Sequence, residues 1–299
     1  MAHRKVEVEI ERLSGVEDPA ALRKALGDRV NLIAAKAAKR IAQLALRELI
    51  PDLLRAFERW FENDTQCWAK NAISQGLVDL DFRESAPFVR GAKHVQMEAA
   101  YGGPVDTAVQ LRGICLLALP PCTDLTRLEV MRHLVDAMVD KAHPVRVDAA
   151  RGLELMEGEG ALLLRLKARM GDEEPAVTGQ VFDSLLKLER DQAVPLVAEF
   201  LTAALEVKAE AALALGTSRI PAAVEILLKT FDTARETEFR GVILRALSLS
   251  RQDKAIAFLE DLVKNGRAAD ARAAREALDL CRKQSTGEQR SDGCDHPNG

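Results

Sequence analysis

An apolar triplet at positions i, i+4 and i+8 recurs about every thirty residues in this chain, and it constrains the fold more than any other feature. Residues with this spacing lie on one face of an α-helix, so each triplet predicts a helix with one apolar stripe. The triplets are Val109/Gly113/Leu117, Val145/Ala149/Leu153, Val177/Val181/Leu185, Val207/Ala211/Leu215 and Phe239/Ile243/Leu247. A single helical hairpin cannot bury such a stripe alone, so successive hairpins are expected to stack.

Prolines mark the start of the second helix in several of these hairpins. They stand in the pairs Ile50-Pro51, Ala86-Pro87, Val194-Pro195 and Ile220-Pro221. Proline at the first helical position costs little, because that backbone position has no acceptor within the helix. The repeated order of apolar triplet, break and proline-led helix therefore indicates one structural unit that is used several times.

Composition supports the same architecture. Hydrophobic residues make up 47% of the chain and aromatic residues only 4%, and alanine and leucine dominate the apolar positions. Alanine is the best helix former and lets helices approach closely, whereas strands favour β-branched and aromatic residues. We therefore predict an all-α fold, an α/α superhelical solenoid of stacked helical hairpins. Such an array grows by adding layers, so its length is not limited by the size of one globular core.

The predicted array covers residues 18–282 and opens at Asp18-Pro19, an N-cap followed by proline. Before it, residues 1–17 form a charged arm whose weak alternation fits either a short strand or a frayed helix. After it, residues 283–299 lack apolar periodicity and are predicted to be disordered. Within the array the pattern slips over residues 90–108, which predicts either a long loop or an irregular junction between two groups of hairpins.

The charge and cysteine content of the chain limit its possible cellular location and its possible partners. The formal net charge is −4, and the 42 basic and 46 acidic residues are interspersed, so the basic stripe of a duplex DNA binder is missing. The five cysteines include no C-x-x-C pair, and the first residues contain no signal-peptide core. The longest apolar run, near Ile114 to Leu119, is too short to span a membrane. We expect a reduced, cytoplasmic protein without a membrane segment or a nucleic-acid partner.

Two segments of the array carry a resemblance to a known family. Residues 142–150 and 173–177 are similar to the acidic-Pro-x-Val-Arg-x-x-Ala-Ala opening of the second helix in HEAT repeats. The short period resembles the subgroup that is named after the phycobilisome lyases. Ala142 and Thr178 depart from the Asp and Arg positions of that motif. The resemblance covers residues 18–282 and implies a stack of hairpins, which by itself serves many unrelated functions.

The resemblance also implies a ladder in which a basic side chain faces an acidic turn residue of the neighbouring repeat. The residues at this position of successive repeats, here called the first file, are Gln110, Arg146, Thr178, Lys208 and Arg240. The residues two positions later, here called the second file, are Arg112, Asp148, Gln180 and Glu210. One interpretation is pairing between repeats. The other is that Arg146, Lys208 and Arg240 form a basic row that binds an acidic partner. We favour pairing, because Gln110 and Thr178 interrupt the row.

No motif for catalysis is evident. None of the five histidines has a second ligand at i+3 or i+4, and H-E-x-x-H, G-x-S-x-G and phosphate-binding glycine motifs do not occur. A site built from His94, Tyr101 and Cys115 is conceivable, but a histidine in a surface loop explains the same residues. We assign no catalytic, metal-binding or cofactor-binding residue, and expect no cofactor.

Trp60, Asp64 and Trp68 resemble the tryptophans and carboxylate in the cleft of helical-repeat DNA glycosylases. They stand, however, at a helix end and at the start of the next helix, where aromatic residues ordinarily hold a hairpin together. A glycosylase also needs a basic cleft for phosphates, which this composition does not indicate.

Three functional hypotheses follow. The first is a non-catalytic scaffold or adaptor that binds another protein through the concave face of the stack. The second, implied by the resemblance, is an accessory subunit or chaperone in a bilin lyase-type system, which requires a tetrapyrrole pocket lined by arginine and aromatic groups. The third is the DNA glycosylase. We favour the scaffold, and whether the chain is an enzyme stays open.

The triplet register can be tested by placing a charge at its central position. Ala149→Asp and Ala211→Asp should each lower the stability by several kcal/mol, because each buries an unpaired carboxylate between hairpins. Thermal denaturation measures the loss. Unchanged melting temperatures for both variants would contradict the register.

Overall fold

The computed structural model describes the backbone of residues 2–291 and the side chains of residues 6–283. The chain divides into two compact units between Met156 and Glu157. The first contains α1 (Ala2–Leu13), α2 (Pro19–Leu26), α3 (Asn31–Gln43), α4 (Ile50–Trp60), α5 (Trp68–Asp79), α6 (Ala86–Ala92), β1 (Met97–Ala100), β2 (Gly103–Asp106), α7 (Val109–Ala118), α8 (Arg127–Ala137) and α9 (His143–Glu154). The second contains α10 (Glu157–Met170), α11 (Pro175–Glu189), α12 (Val194–Glu199), α13 (Leu205–Thr217), α14 (Pro221–Thr233), α15 (Thr237–Ser250), α16 (Asp253–Asn265) and α17 (Ala268–Ser291).

Within each unit, the odd-numbered helices from α3 onward pack side by side, each against the odd-numbered helix that follows it. In the first unit α3 packs on α5, α5 on α7 and α7 on α9, and in the second unit α11 packs on α13, α13 on α15 and α15 on α17. Each of these odd-numbered helices, here called the stacked helices, also contacts the helix that precedes it. The predicted all-α architecture of stacked helical hairpins is therefore confirmed within each unit.

The predicted apolar stripes lie between the stacked helices. On α11 all three triplet residues, Val177, Val181 and Leu185, are fully buried, and the stripes of α9 and α15 are buried almost as completely. The prolines of the four predicted pairs lie in the first turns of α4, α6, α12 and α14. Spacing and proline position thus identified the repeating unit correctly over most of the chain.

On α7 the predicted register is wrong. Leu111, Cys115 and Leu119 are fully buried, whereas Val109 and Leu117 of the predicted triplet are half-buried. The helix is apolar on nearly every side from Leu111 onward, and it packs against α5, α6 and α9, so its periodicity did not discriminate between the two registers.

The irregular stretch at residues 90–108 contains a two-stranded β-hairpin. β1 pairs with β2 in antiparallel register, with Glu98 opposite Val105 and Ala100 opposite Gly103. Gly102 and Gly103 have positive φ angles of 98° and 128° at the turn, which glycine adopts without strain. The division between the two compact units does not fall here but after Met156.

Of the two structures predicted for the charged arm, a short strand or a frayed helix, the chain adopts a helix over residues 2–13. This helix, α1, packs on α3 and buries Leu13. At the other end α17 continues to Ser291, well into the stretch that was predicted to be disordered. A polar segment can continue a helix that is already formed, because each added residue gains a backbone hydrogen bond without a buried face. Cys294 and His296 lie outside the described residues.

Within residues 2–291, no helix combines the length and the apolar character that a bilayer crossing requires.

The contact between α13 and α15 depends on Gly216, and this can be tested. A Cβ at this position would overlap the backbone carbonyl oxygen of Ala246, which cannot move without shifting α15. Gly216→Ala should therefore lower the free energy of unfolding by about 1–3 kcal/mol, as overpacked cores do. Urea denaturation measures the change.

The matched control is Gly241→Ala on α15, where an added Cβ meets no atom within 4 Å. This variant should be neutral or more stable by up to about 1 kcal/mol, because alanine favours the helix interior. Equal stabilities of both variants would contradict the close approach.

Candidate functional site

The three predicted ladder residues donate to acceptors within the protein. Lys208 Nζ lies 2.7 Å from Glu236 Oε2 and 4.7 Å from the centre of the Phe239 ring. Arg240 donates from Nε and Nη2 to the two carboxylate oxygens of Asp270, at 2.9 and 2.8 Å, and lies over Phe231. Arg146 donates to the carbonyl oxygen of Asp140 at 2.8 Å and is only 5% exposed. The geometry of Lys208 and Arg240 favours pairing between repeats over a basic row.

The shifted register of α7 adds Arg112 to this file in place of Gln110. Arg112 follows Leu111, the first residue of the buried stripe, as Arg240 follows Phe239. Its guanidinium contacts Asp106 Oδ2 at 2.7 Å and Asp140 Oδ1 at 3.2 Å. Sequence analysis placed Arg112 in the second file instead, because it set the stripe two positions earlier.

The two acidic members of the second predicted file each lie against a glycine of a neighbouring stacked helix. Asp148 lies against Gly113 on α7, and Glu210 lies against Gly179 on α11. Burial raises the pKa of both carboxyl groups. At Asp148 the nearby charge of Arg151 partly offsets this by lowering the pKa. These acids therefore fill space that the neighbouring glycines leave open.

Lys70 occupies the same position on α5, one residue after the buried Ala69, but its Nζ has no carboxylate partner among the side chains of residues 6–283. It is fully buried, and Nζ donates to the carbonyl oxygen of Phe61 at 2.9 Å and to Gln96 Oε1. It also lies 3.0 Å from His94 Nε2. An ammonium group has only donors, so Nε2 is the acceptor and His94 is a neutral ring with its proton on Nδ1.

The environment of His94 holds it in this neutral form. Burial lowers its pKa, and the nearby positive charge of Lys70 lowers it further. The hydrogen bond that a ring protonated on Nε2 would donate to Gln96 Oε1 acts in the opposite direction. Protonation of His94 would set two positive charges against each other where Lys70 now donates.

Gln96 and Glu98 attach the β-hairpin to the start of α5. Gln96 Nε2 donates to the carbonyl oxygen of Asp64 at 2.7 Å and to Glu98 Oε1. Glu98 Oε1 also accepts the backbone N–H of Gln66 at 2.6 Å and the hydroxyl of Thr107 at 3.0 Å. The bond from Gln66 is the main cause of a lowered Glu98 pKa. The hairpin base is thus held, while Tyr101 at its tip is fully exposed.

A groove of about 380 Å³ runs over α3, α5 and α7 beside this anchor. We call it the Trp68 groove. Its polar and aromatic lining consists of Lys39, Gln66, Trp68, Asn71, Gln75 and Gln110. Trp68 is 46% exposed, a large area for tryptophan, and its indole N–H donates to Gln66 Oε1 at 2.9 Å.

Several amide groups in the Trp68 groove have open hydrogen-bonding positions. Asn71 Nδ2 donates to Gln110 Oε1 at 3.2 Å, while the buried Asn71 Oδ1 has no partner. Gln75 Nε2 donates to Asp79 at 2.8 Å. Lys39 is exposed and makes no ion pair within residues 6–283. Asn71 Oδ1 is closed to solvent, so the open positions are Gln110 Nε2 and Gln75 Oε1, which belong to exposed side chains.

A second groove of about 500 Å³ is lined by Phe61, Arg90, Lys93, His94 and His133. Arg90 stacks on Phe61 and pairs with Glu58. Burial lowers the pKa of His133, as does the charge of Lys93.

The other residues considered from sequence do not assemble into a site. Trp60 is buried, and the carboxylate of Asp64 accepts from Asn31 and from the backbone N–H of Lys70, whereas Trp68 is exposed. Tyr101 is at the hairpin tip, while Cys115 is buried in α7, which raises the pKa of its thiol to about 12. In the described part of the chain, no group of three or more His, Cys, Asp or Glu side chains is placed to hold a metal ion.

Comparison with known proteins adds little. No family model matches the chain, and no curated protein does. Among solved structures, human deoxyhypusine hydroxylase in complex with glycerol is similar at 16% identity over 92% of this chain and 88% of that one, with a TM-score of 0.26. An engineered protein is similar at 17% identity over 90% of this chain and 98% of that one, also with a TM-score of 0.26. Scores this low support no argument about activity.

The contact between Lys70 and His94 predicts a specific pH dependence. The folded pKa of His94 is lowered, so the unfolded chain binds more protons and stability falls as the pH drops below about 6.5, the ordinary histidine value. His94→Gln keeps an acceptor for Lys70 and removes the titration, so its melting temperature should fall less between about pH 7.5 and pH 5.

His133→Gln is the control, because His133 also has a lowered pKa, whereas the ring beside Lys70 Nζ is that of His94. This variant should retain the part of the pH dependence that belongs to His94. Parallel curves for the wild type and His94→Gln would contradict the proposed protonation state.

Proposed function

We propose that this protein is a non-catalytic scaffold or adaptor that binds a protein partner on the face of its stacked helices. The observation that carries the proposal is the Trp68 groove, where a half-exposed tryptophan stands among amide groups with open hydrogen-bonding positions. Tryptophan combines a large apolar area with a polar N–H and is enriched among residues that dominate binding energy. In helical arrays of this type, curvature turns one face into an extended binding surface.

The charges of the stack support a binding role at this groove rather than along the ladder. Lys208, Arg240 and Arg112 are engaged with Glu236, Asp270 and Asp140. A partner that used these cations would first have to displace their carboxylates. Lys39 in the Trp68 groove has no such competitor.

The cysteines fit a cytoplasmic location. Cys67, Cys115 and Cys122 are buried thiols without a disulfide, and burial raises the pKa of each. We therefore propose that the protein works in the reducing environment of the cytoplasm.

The role in a bilin lyase-type system remains the alternative proposal. The second groove supplies its one supporting feature, an arginine stacked on an aromatic ring, Arg90 on Phe61. Arg90 already pairs with Glu58, however, and this weakens its attraction for a propionate. Absorbance titration with a bilin tests this alternative, and a mobility shift with damaged DNA tests the glycosylase hypothesis.

Site-specific photo-crosslinking in cells tests the scaffold proposal. A photoreactive amino acid at Gln110, which lines the Trp68 groove, should crosslink a partner protein. The matched control is the same amino acid at Leu128, an exposed residue of α8, where that product should be missing. Adding Trp68→Ala should abolish the Gln110 product without a change in melting temperature, because an exposed indole contributes more to binding than to the core. No product at Gln110, or the same product from both positions, would contradict the proposal.

A further inference from the structure

We infer that the Trp68 groove binds a segment of the partner chain in extended conformation, with an acidic side chain next to an apolar one. This inference rests on the proposed scaffold function and specifies what its binding site accepts. It follows from the hydrogen-bonding groups, the charge and the apolar surface of the groove, taken in turn.

The amide groups of the groove are suited to a peptide backbone. Gln110 is exposed and uses its Oε1 for Asn71, which leaves its own Nε2 as a donor. Gln75 uses Nε2 for Asp79 and leaves Oε1 as an acceptor. The groove therefore offers donors and acceptors together, as the N–H and C=O groups of a peptide bond require.

This pairing requires that the bound segment is extended. A helix uses its own backbone N–H and C=O groups internally, so its main chain cannot pair with Gln110 Nε2 and Gln75 Oε1. An extended segment keeps both groups free. Its main chain can contact the amide groups of α5 and α7, while alternate side chains point towards and away from the groove.

The charge of the groove selects an acidic segment. Lys39 is the one charged residue among those that line it, and it is exposed without an ion pair within residues 6–283. A carboxylate of the partner would face no acidic lining residue there, and would not have to displace one from Lys39. A single-stranded nucleic acid would need a row of cations along its phosphates, which one lysine does not supply.

The apolar contact comes from Trp68, with Ile114 and Ala72 in the lining beside it. Its indole N–H is held by Gln66, and the backbone N–H of Gln66 is held by Glu98 of the β-hairpin. The ring is thus positioned before binding, which lowers the entropy that a partner must overcome. An apolar side chain next to the acidic one would cover this ring.

Selection of displayed peptides on the full chain tests the inference. A phage library of random dodecapeptides is selected on the wild type, on Trp68→Ala and on Lys39→Glu. The wild-type pool should be enriched in peptides with an acidic residue beside an apolar one, and Trp68→Ala should not recover that pool. A synthetic peptide from the pool, measured by fluorescence anisotropy, should bind both variants at least about tenfold more weakly, the loss typical of a residue that dominates an interface.

Charge reversal makes the test specific. Lys39→Glu should recover binding of the same peptide with its acidic residue replaced by lysine. Lys93→Glu makes the same charge change on an exposed lysine that lines the second groove instead, and should bind the original peptide like the wild type. Thermal denaturation of each variant shows that it is folded.

Two outcomes would overturn the inference. One is a wild-type pool without an acidic preference, or one that Trp68→Ala recovers equally well. The other is Trp68-dependent binding of labelled oligothymidylate at a lower concentration than the peptide, which would assign the groove to single-stranded nucleic acid. If either occurs while crosslinking at Gln110 still captures a protein, the scaffold function stands and only the nature of the bound segment is wrong.

Discussion

The close contact between neighbouring stacked helices is the constraint on which the other features of each unit depend. On α13 and α15 the backbones approach so closely that Gly216 has no room for a Cβ beside Ala246. Alanine and branched aliphatic side chains, such as Ala211 and Ile243, fill the remaining space. At this separation the residue after the first apolar position reaches the start of the next stacked helix. The pair between Arg240 and Asp270 is a direct consequence of this geometry.

The same position on α5 shows how the array accommodates an insertion. Lys70 reaches not a carboxylate but the side chains of His94 and Gln96, which belong to the segment that carries the β-hairpin. Gln96 in turn binds Glu98, and Glu98 binds the backbone of Gln66 beside Trp68. The ladder position of α5, which holds Lys70, is therefore linked by hydrogen bonds through the β-hairpin segment to the Trp68 groove. An isolated two-stranded hairpin is marginally stable in water, so these anchors explain why this one is ordered at its base.

The polar side chains on the stacked helices fall into two sets, those that pair within the protein and those that can contact a partner. Cations of the ladder are engaged by acidic residues of the same unit, and their contribution is to hold helices in register. Lys39, Trp68 and Gln110 are not used in this way. Their combination of charge, apolar area and open hydrogen-bonding positions is unusual for a surface that only faces water, and it is the basis for the proposed binding of an extended acidic segment.

The sequence by itself determined the class of fold and most of its repeating unit, because a stripe such as Val177/Val181/Leu185 can be buried only if helices stack. It did not determine the register of α7, since a helix that is apolar on nearly all sides has no single preferred face. Nor did it distinguish Trp60 from Trp68, because both stand at helix ends and only the packing of the neighbouring helices buries one and exposes the other. The Trp68 groove likewise joins residues from α3, α5 and α7 that are far apart in the chain. Local spacing encodes which side of a helix is buried, whereas the distance and rotation between helices decide which exposed side chains meet.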